Sequence, residues 1–217
     1  MESTTAGGRR TSRFGLLGGP VCLDFLNTLD DRPTQPKELL RTFIDLARFA
    51  GDSGVLTPAQ ANRLIERSPL FPSEAAAALH TAREMREAMF VVFSAIVKKQ
   101  PVPKIALAQV NGYIQEAAQH ANLAPQNGSF VWEFDRFSSP ERPFDPVLWP
   151  IARSAADLLA SDQLRFVRTC ESQTCQWFFL DTSKSHRRQW CDMSKCGNRA
   201  KARRFYARQK KRGDHGE

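Results

Sequence analysis

Four of the five cysteines fall between residues 170 and 196, as Cys170-x4-Cys175-x15-Cys191-x4-Cys196, and no other feature limits the fold of the chain so strongly. Two short-spaced pairs let two turns carry four thiolates to the corners of a tetrahedron, the geometry of a structural zinc site. Soft thiolates in a four-coordinate site favour Zn2+. A thiol–disulfide switch, an iron–sulfur cluster or separately buried thiols would draw on the same residues, and a redox role can be layered on the same sulfurs. Four cysteines leave no open coordination position, which argues against zinc catalysis. Cys22 stands apart in "GGPVCLDFL" and reads as a small core residue. His186 lies between the pairs and could replace a thiolate only if one of the four were spared.

The residues between the pairs, "QWFFLDTSKSHRRQW", read as a hairpin. Trp177 to Leu180 form the strand-like run, "DTSKS" supplies turn chemistry, and Trp190 closes the return arm. Trp177 is expected to be buried. Cys196 then opens a helix extending to about Gln209, so the order is knuckle, hairpin, knuckle and helix, as in a treble clef. A unit this small has too little core to stand alone, and a structural zinc adds on the order of 10 to 16 kcal/mol at neutral pH.

Charge separates this end of the chain from the rest. From Leu164 onward there are fourteen Lys plus Arg against five Asp plus Glu, or +9, which leaves −1 for residues 1–163 of a chain whose total is +8. A localised cationic block attracts polyanions. The helical period places Arg199, Arg203 and Lys210 in one stripe and Lys201, Arg204, Arg208 and Lys211 in another, with Lys184, Arg187 and Arg188 added from the hairpin. Acidic partners at i, i+4 are almost absent, so self-repulsion on this helix is not relieved internally. Phosphate contacts would relieve it through counterion release. Gly197 and Asn198 read as knuckle residues with structural duties.

Upstream, the pattern is helical. Residues 1–12 are expected to be disordered, and 212–217 to form a disordered tail. "PKELLRTFIDLARFAG" repeats apolar residues at 39, 40, 43, 46, 47 and 50, an amphipathic helix closed by Gly51. Thr57-Pro58 starts another, through about Arg67. The longest runs through "SEAAAALHTAREMREAMFVVFSAIVKK", capped by Ser73, with Leu79, Ala82, Met85, Met89, Val92, Phe93 and Ile96 facing inward. A further helix covers roughly 104–122. Phe130, Trp132 and Phe134 then alternate as a strand paired through Asn127-Gly128, and a last helix follows Asp145-Pro146. The fold class is therefore mainly α: a multihelical domain with a short β-hairpin over 13–163, and a treble-clef-like zinc finger over 164–211. "LRFVRT" reads as a short strand leading directly into Cys170, leaving no long linker between them.

The stretch "WFFLDTSKSHRRQWCDMSKCGNRAKARRFYAR" resembles the CGNR zinc finger, named for the tetrapeptide at Cys196 to Arg199. "GLLGGPVCLDFLNTLDDR" and "LWPIARSAADLLAS" resemble the ABATE domain that precedes that finger in bacterial proteins. The resemblance implies a bacterial stress-associated transcription regulator with Cys170, Cys175, Cys191 and Cys196 as zinc ligands and the DNA-facing charges after Cys196. It also implies a sensing role for the helical part. Asp24, Asn27, Asp30 and Arg32 could line a small-molecule pocket there, although capping and buried hydrogen bonding are the commoner uses of such residues.

The expected partners are double-stranded DNA, a small-molecule effector or protein at the helical domain, and a second copy of the chain. Neither a secretory leader nor an apolar run of membrane-spanning length is visible, so a soluble cytoplasmic protein is expected, with no membrane partner. No Gly-rich phosphate loop, paired histidines or nucleophile signature suggests an enzyme. RNA binding through Phe205, Tyr206 and Trp177, or an adaptor role for the basic helix, are the competing readings.

Overall fold

The computed structural model describes residues 12–17, 19–134 and 143–213, with side chains at 204, 207, 208 and 210–213 left outside the description. Of the ends expected to be disordered, 1–12 and 212–217, residues 1–11 and 214–217 lie outside the described residues, whereas Arg212 and Gly213 continue the last helix. Seven α-helices and three two-stranded antiparallel sheets make up the regular structure described. No helix among the described residues is long and apolar enough to cross a membrane.

The first helix, α1 (Val21–Leu26), buries five of its six residues and lies at the centre of the molecule. A two-residue ladder, β1 (Leu29–Asp30) with β2 (Lys37–Glu38), leads to α2 (Phe43–Asp52). The apolar period suggested an earlier start for α2, but Leu39 and Leu40 precede it. Thr42 fixes the start by accepting from Asp45 N, while the Asp45 carboxylate accepts from Thr42 N in a reciprocal capping box. Thr57 and Gln60 form the same box on α3 (Pro58–Arg67).

The 26-residue α4 (Pro72–Val97) is the main strut. It begins at Pro72 without a side-chain cap, so Ser73 lies inside the first turn rather than at the cap; proline at the first helical position supplies the pre-set φ. Ala82, Met85, Met89, Val92 and Phe93 are buried along it, and Leu79 and Ile96 are partly buried. Next, α5 (Lys104–Gln119) ends three residues short of the expected limit, because Ala121 already belongs to β3 (Ala121–Gln126). Asn127 and Gly128, both at positive φ, turn β3 into β4 (Ser129–Phe134). In α6 (Trp149–Leu159), Pro150 sits in the first turn, where it displaces no helical hydrogen bond.

The core joins α1, α2, α4 and α6 around Phe14, Phe25, Phe49 and Phe93, with Phe14 and Phe49 edge to face at 5.4 Å. Beside it, Arg86 forks onto Glu38 at 2.6 and 2.7 Å and reaches Glu87, which is also gripped by Arg32.

The cysteine region attaches through one more sheet, β5 (Val167–Thr169) with β6 (Phe178–Leu180). The hairpin therefore encloses the first cysteine pair, and the return arm ending at Trp190 is not a strand. Alternation along β6 decides how the two parts meet. Phe178 belongs to the helical core, against Phe90 and Phe93 at 5.6 and 6.3 Å. Its neighbour Phe179 points to the opposite face, into the cysteine cluster.

Candidate metal centre and nucleic-acid interface

Each cysteine pair is held by a local device. In the first, Cys170 N donates to Trp177 O at 2.8 Å and Cys175 N to Ser172 O at 3.1 Å. In the second, the Asp192 carboxylate accepts from Ser194 N at 2.7 Å, while Asp192 O accepts from Cys196 N and Gly197 N. This closes a π-helical turn over Met193–Gly197. Gly197 packs closely there: a Cβ would lie 2.3 Å from Met193 Sδ and 3.2 Å from Trp190 Cδ1, so a larger residue would displace the half-exposed Met193 side chain. Glu171 N donates to Gln189 O at 2.9 Å, tying one knuckle to the other.

The sulfurs converge. All four lie within 4.8 Å of one another, with Cys175–Cys191 at 3.6 Å and Cys191–Cys196 at 3.7 Å. A tetrahedron with Zn–S bonds of about 2.3 Å has an edge of about 3.8 Å, which matches, whereas a disulfide would need about 2.0 Å. All five cysteines are free thiols. The donor set fits zinc, and such a closed site is structural. Thiol hydrogen bonds from Cys175 and Cys191, with backbone N–H groups of Cys191 and Ser172, hold Cys170 far below the usual thiol range. Hydrogen bonds to Cys170 in turn raise Cys175 and Cys191 above that range, and burial raises Cys196. A dication held among them would favour the thiolate form of all four.

Cys22 takes no part. It is fully buried in the helical core, where burial pushes its thiol up to about 12. His186 points away from the sulfurs, stacked on Phe166 at 3.8 Å with Nδ1 2.9 Å from Asp181 O.

The arm from Asp181 to Trp190 is organised by Asp181, whose carboxylate accepts from Ser183 N, Ser183 Oγ and Arg188 N. Burial raises its pKa, but the Ser183 and Arg188 donors outweigh this and hold it below the ordinary range. Arg188, expected on the nucleic-acid face, is occupied inside the finger. Its guanidinium donates to Trp190 O and Cys191 O and lies over Phe179 at 4.8 Å. Arg187 is exposed.

The last helix, α7 (Asn198–Gly213), springs from the π turn, its principal packing partner. Lys201, Arg203, Phe205, Tyr206 and Gln209 are exposed, as are Asn198 and Arg199 at its start. Arg203 reaches Gln173 at 3.5 Å. Arg204, Arg208 and Lys210 lie on the α7 backbone, but their side chains are outside the described residues.

Of the four residues expected to line an effector pocket, Asn27, Asp30 and Arg32 are engaged by backbone or side-chain partners. Asn27 is buried and pairs with the backbone of β6 as a strand would, donating from Nδ2 to Phe178 O at 2.9 Å and accepting at Oδ1 from Phe178 N at 2.8 Å. Asp30 accepts from Trp177 Nε1 at 2.7 Å, leaving that ring half-buried rather than enclosed. Arg32 grips Glu87 at 2.8 and 3.1 Å and lies over Phe90 at 3.9 Å. Asp24 is buried on α1 and faces a cleft toward Arg188, Asp192 and Lys195. Among the described cavities, Asp24 alone of the four lines one. Asn27 and Asp30 fasten the finger to the helical domain instead. Asp181 falls in the "DTSKS" turn read from the sequence, whereas Asp192 carries the same Asx-turn signal in "DMSK" without a role assigned to it there.

Comparison with known families matches residues 19–162 to ABATE, described as "Putative stress-induced transcription regulator". The chain belongs to the ABATE family. Residues 167–209 match the CGNR zinc finger, so the cysteine quartet is the metal centre of that finger. No curated protein matches the chain. The ABATE domain and the CGNR finger thus meet at β6, with Asn27 and Asp30 of the first holding the backbone and indole of the second.

Proposed function

We propose that the protein is a DNA-binding transcription regulator in which the CGNR finger presents α7 to duplex DNA and the ABATE domain receives a signal or partner. The observation that carries this reading is the exposure of α7. Of the nine described side chains of this 16-residue helix, rich in Arg and Lys, eight are exposed and Ala200 is partly buried, so among the described residues it has little tertiary packing to stabilise it. A polyphosphate supplies the missing partner. At about 1.5 Å per residue α7 spans roughly 24 Å, and the major groove of B-DNA accepts such a helix. Arg199, Lys201 and Arg203 are its proposed contacts, with Arg187 from the arm and Arg204, Arg208 and Lys210 from the remainder of the helix. Arg188 serves the finger rather than the duplex. No enzymatic activity is assigned, and the cytoplasm is the expected compartment.

Genome-wide mapping of sites bound by the intact protein, beside a Cys191→Ser variant, tests the reading. A shared motif enriched by the intact protein and lost in the variant supports it; indifference to the substitution contradicts it. RNA binding is the second reading, favoured by the exposure of Phe205 (58%) and Tyr206 (68%) on the same helix. Competition between duplex DNA and single-stranded RNA at matched salt separates them.

A further inference from the structure

The β3–β4 hairpin carries an apolar face that its own domain leaves partly uncovered. Its register sets Ala121 opposite Phe134, Leu123 opposite Trp132 and Pro125 opposite Phe130, and directly opposed residues share a face. One end is closed, with Phe134 6.4 Å from Trp149. The rest is wet: Phe130 is 69% exposed and Trp132 44%. Next to Trp132 lies a cavity of about 560 Å³, a volume within the roughly 300 to 1,000 Å³ typical of small-molecule sites.

Its walls come from four parts of the ABATE domain: Trp132 and Phe134 on β4, Arg153 and Asp157 on α6, Val21 on α1, and Val55 between α2 and α3. Arg153 is the one cation among the described lining residues. Its guanidinium lies 4.0 Å from the Trp132 ring centre, and its Nε donates to Asp157 at 2.7 Å. That leaves the two terminal amino groups without a hydrogen bond among the described residues. The ring and the carboxylate together fix the plane of the fork.

We propose that this cavity binds a small aromatic carboxylate, with its ring against Trp132 and Phe134 and its carboxylate on the terminal amino groups of Arg153. A planar fork with two parallel N–H groups matches a carboxylate bidentately, and aromatic walls favour a flat ring in offset or edge contact. Asp157 is more than half exposed, so water screens its charge while it orients Arg153. The cavity touches α1 at Val21, and Asn27 just beyond the other end of α1 holds β6. That occupancy informs the finger rests on the regulator reading above; occupancy itself does not.

The test is calorimetric titration of the full-length, zinc-loaded chain with 2-naphthoate and with its neutral counterpart 2-naphthalenemethanol, with DNA binding measured on the same preparation. The expected result is saturable binding of one naphthoate per chain, at least tenfold weaker binding of the alcohol, and a Arg153→Gln variant that binds both alike. Trp132→Leu should weaken naphthoate about tenfold while the melting temperature of each variant stays near that of the parent. Absent saturable naphthoate binding, equal binding of acid and alcohol to the parent, or unchanged naphthoate affinity in Arg153→Gln overturns the proposal. The DNA measurement reports separately on the regulator reading.

Discussion

Asn27 shows how much a single side chain decides. Its amide replaces a strand partner for Phe178, satisfying a backbone donor and acceptor that are both buried. Asn27→Ala leaves both unsatisfied and should cost roughly 2 to 4 kcal/mol, read from urea unfolding of the zinc-loaded protein. A loss under about 0.5 kcal/mol would mean that water or another group takes over. Nothing local in the sequence announces this duty, because the partner lies 151 residues away. Asp45 is a second case. Burial raises its carboxyl, but the Arg13 side chain and the Thr42 and Arg41 amides outweigh that and hold it below its ordinary value. A depressed folded pKa stabilises above the unfolded value near 4 and ceases to do so as pH falls through the folded value. Asp45→Asn should therefore lower stability near pH 7 and narrow its gap from the parent near pH 2, measured by thermal melts; an equal gap at both would contradict this.

Among elements, β6 has the largest consequence. It separates two cores, with Phe178 on the helical side and Phe179 on the metal side. The strand was legible in "WFFL" and its neighbour in "LRFVRT", but their pairing was not. Local pattern suggested the arm ending at Trp190, whereas Val167–Thr169 pairs across the first knuckle. That choice depends on convergence of the four sulfurs, which the spacing of the cysteines allows but does not orient. The cysteine quartet, the capped start of α3 and the long α4 were legible because each depends on local spacing or periodicity. Since β6 serves both cores, stripping the metal with a chelator should expose more than the finger. Hydrogen exchange is expected to show reduced protection at Phe178 and Leu180 and in α1. Full protection of α1 after metal removal would show that the helical core closes without its finger.

For the whole molecule, the basic charge, the metal and the helical domain form one mechanical chain. The ABATE domain grips β6 through Asn27 and Asp30, β6 carries the metal knuckles, and the second knuckle launches α7. The direction of α7 is therefore set by the body of the protein rather than by a flexible link. Concentration of cationic residues beyond residue 164 was legible as composition; the grip was not, since it joins residues far apart in the chain. The most direct test is the affinity of the full-length protein for duplex DNA, followed by fluorescence anisotropy over a range of salt concentrations with zinc bound and after its removal. The account predicts that log K falls linearly with log salt, at about −0.9 per phosphate contacted, and that affinity drops at least a hundredfold when the metal is removed. Equal affinity with and without zinc, or affinity indifferent to salt, would contradict it.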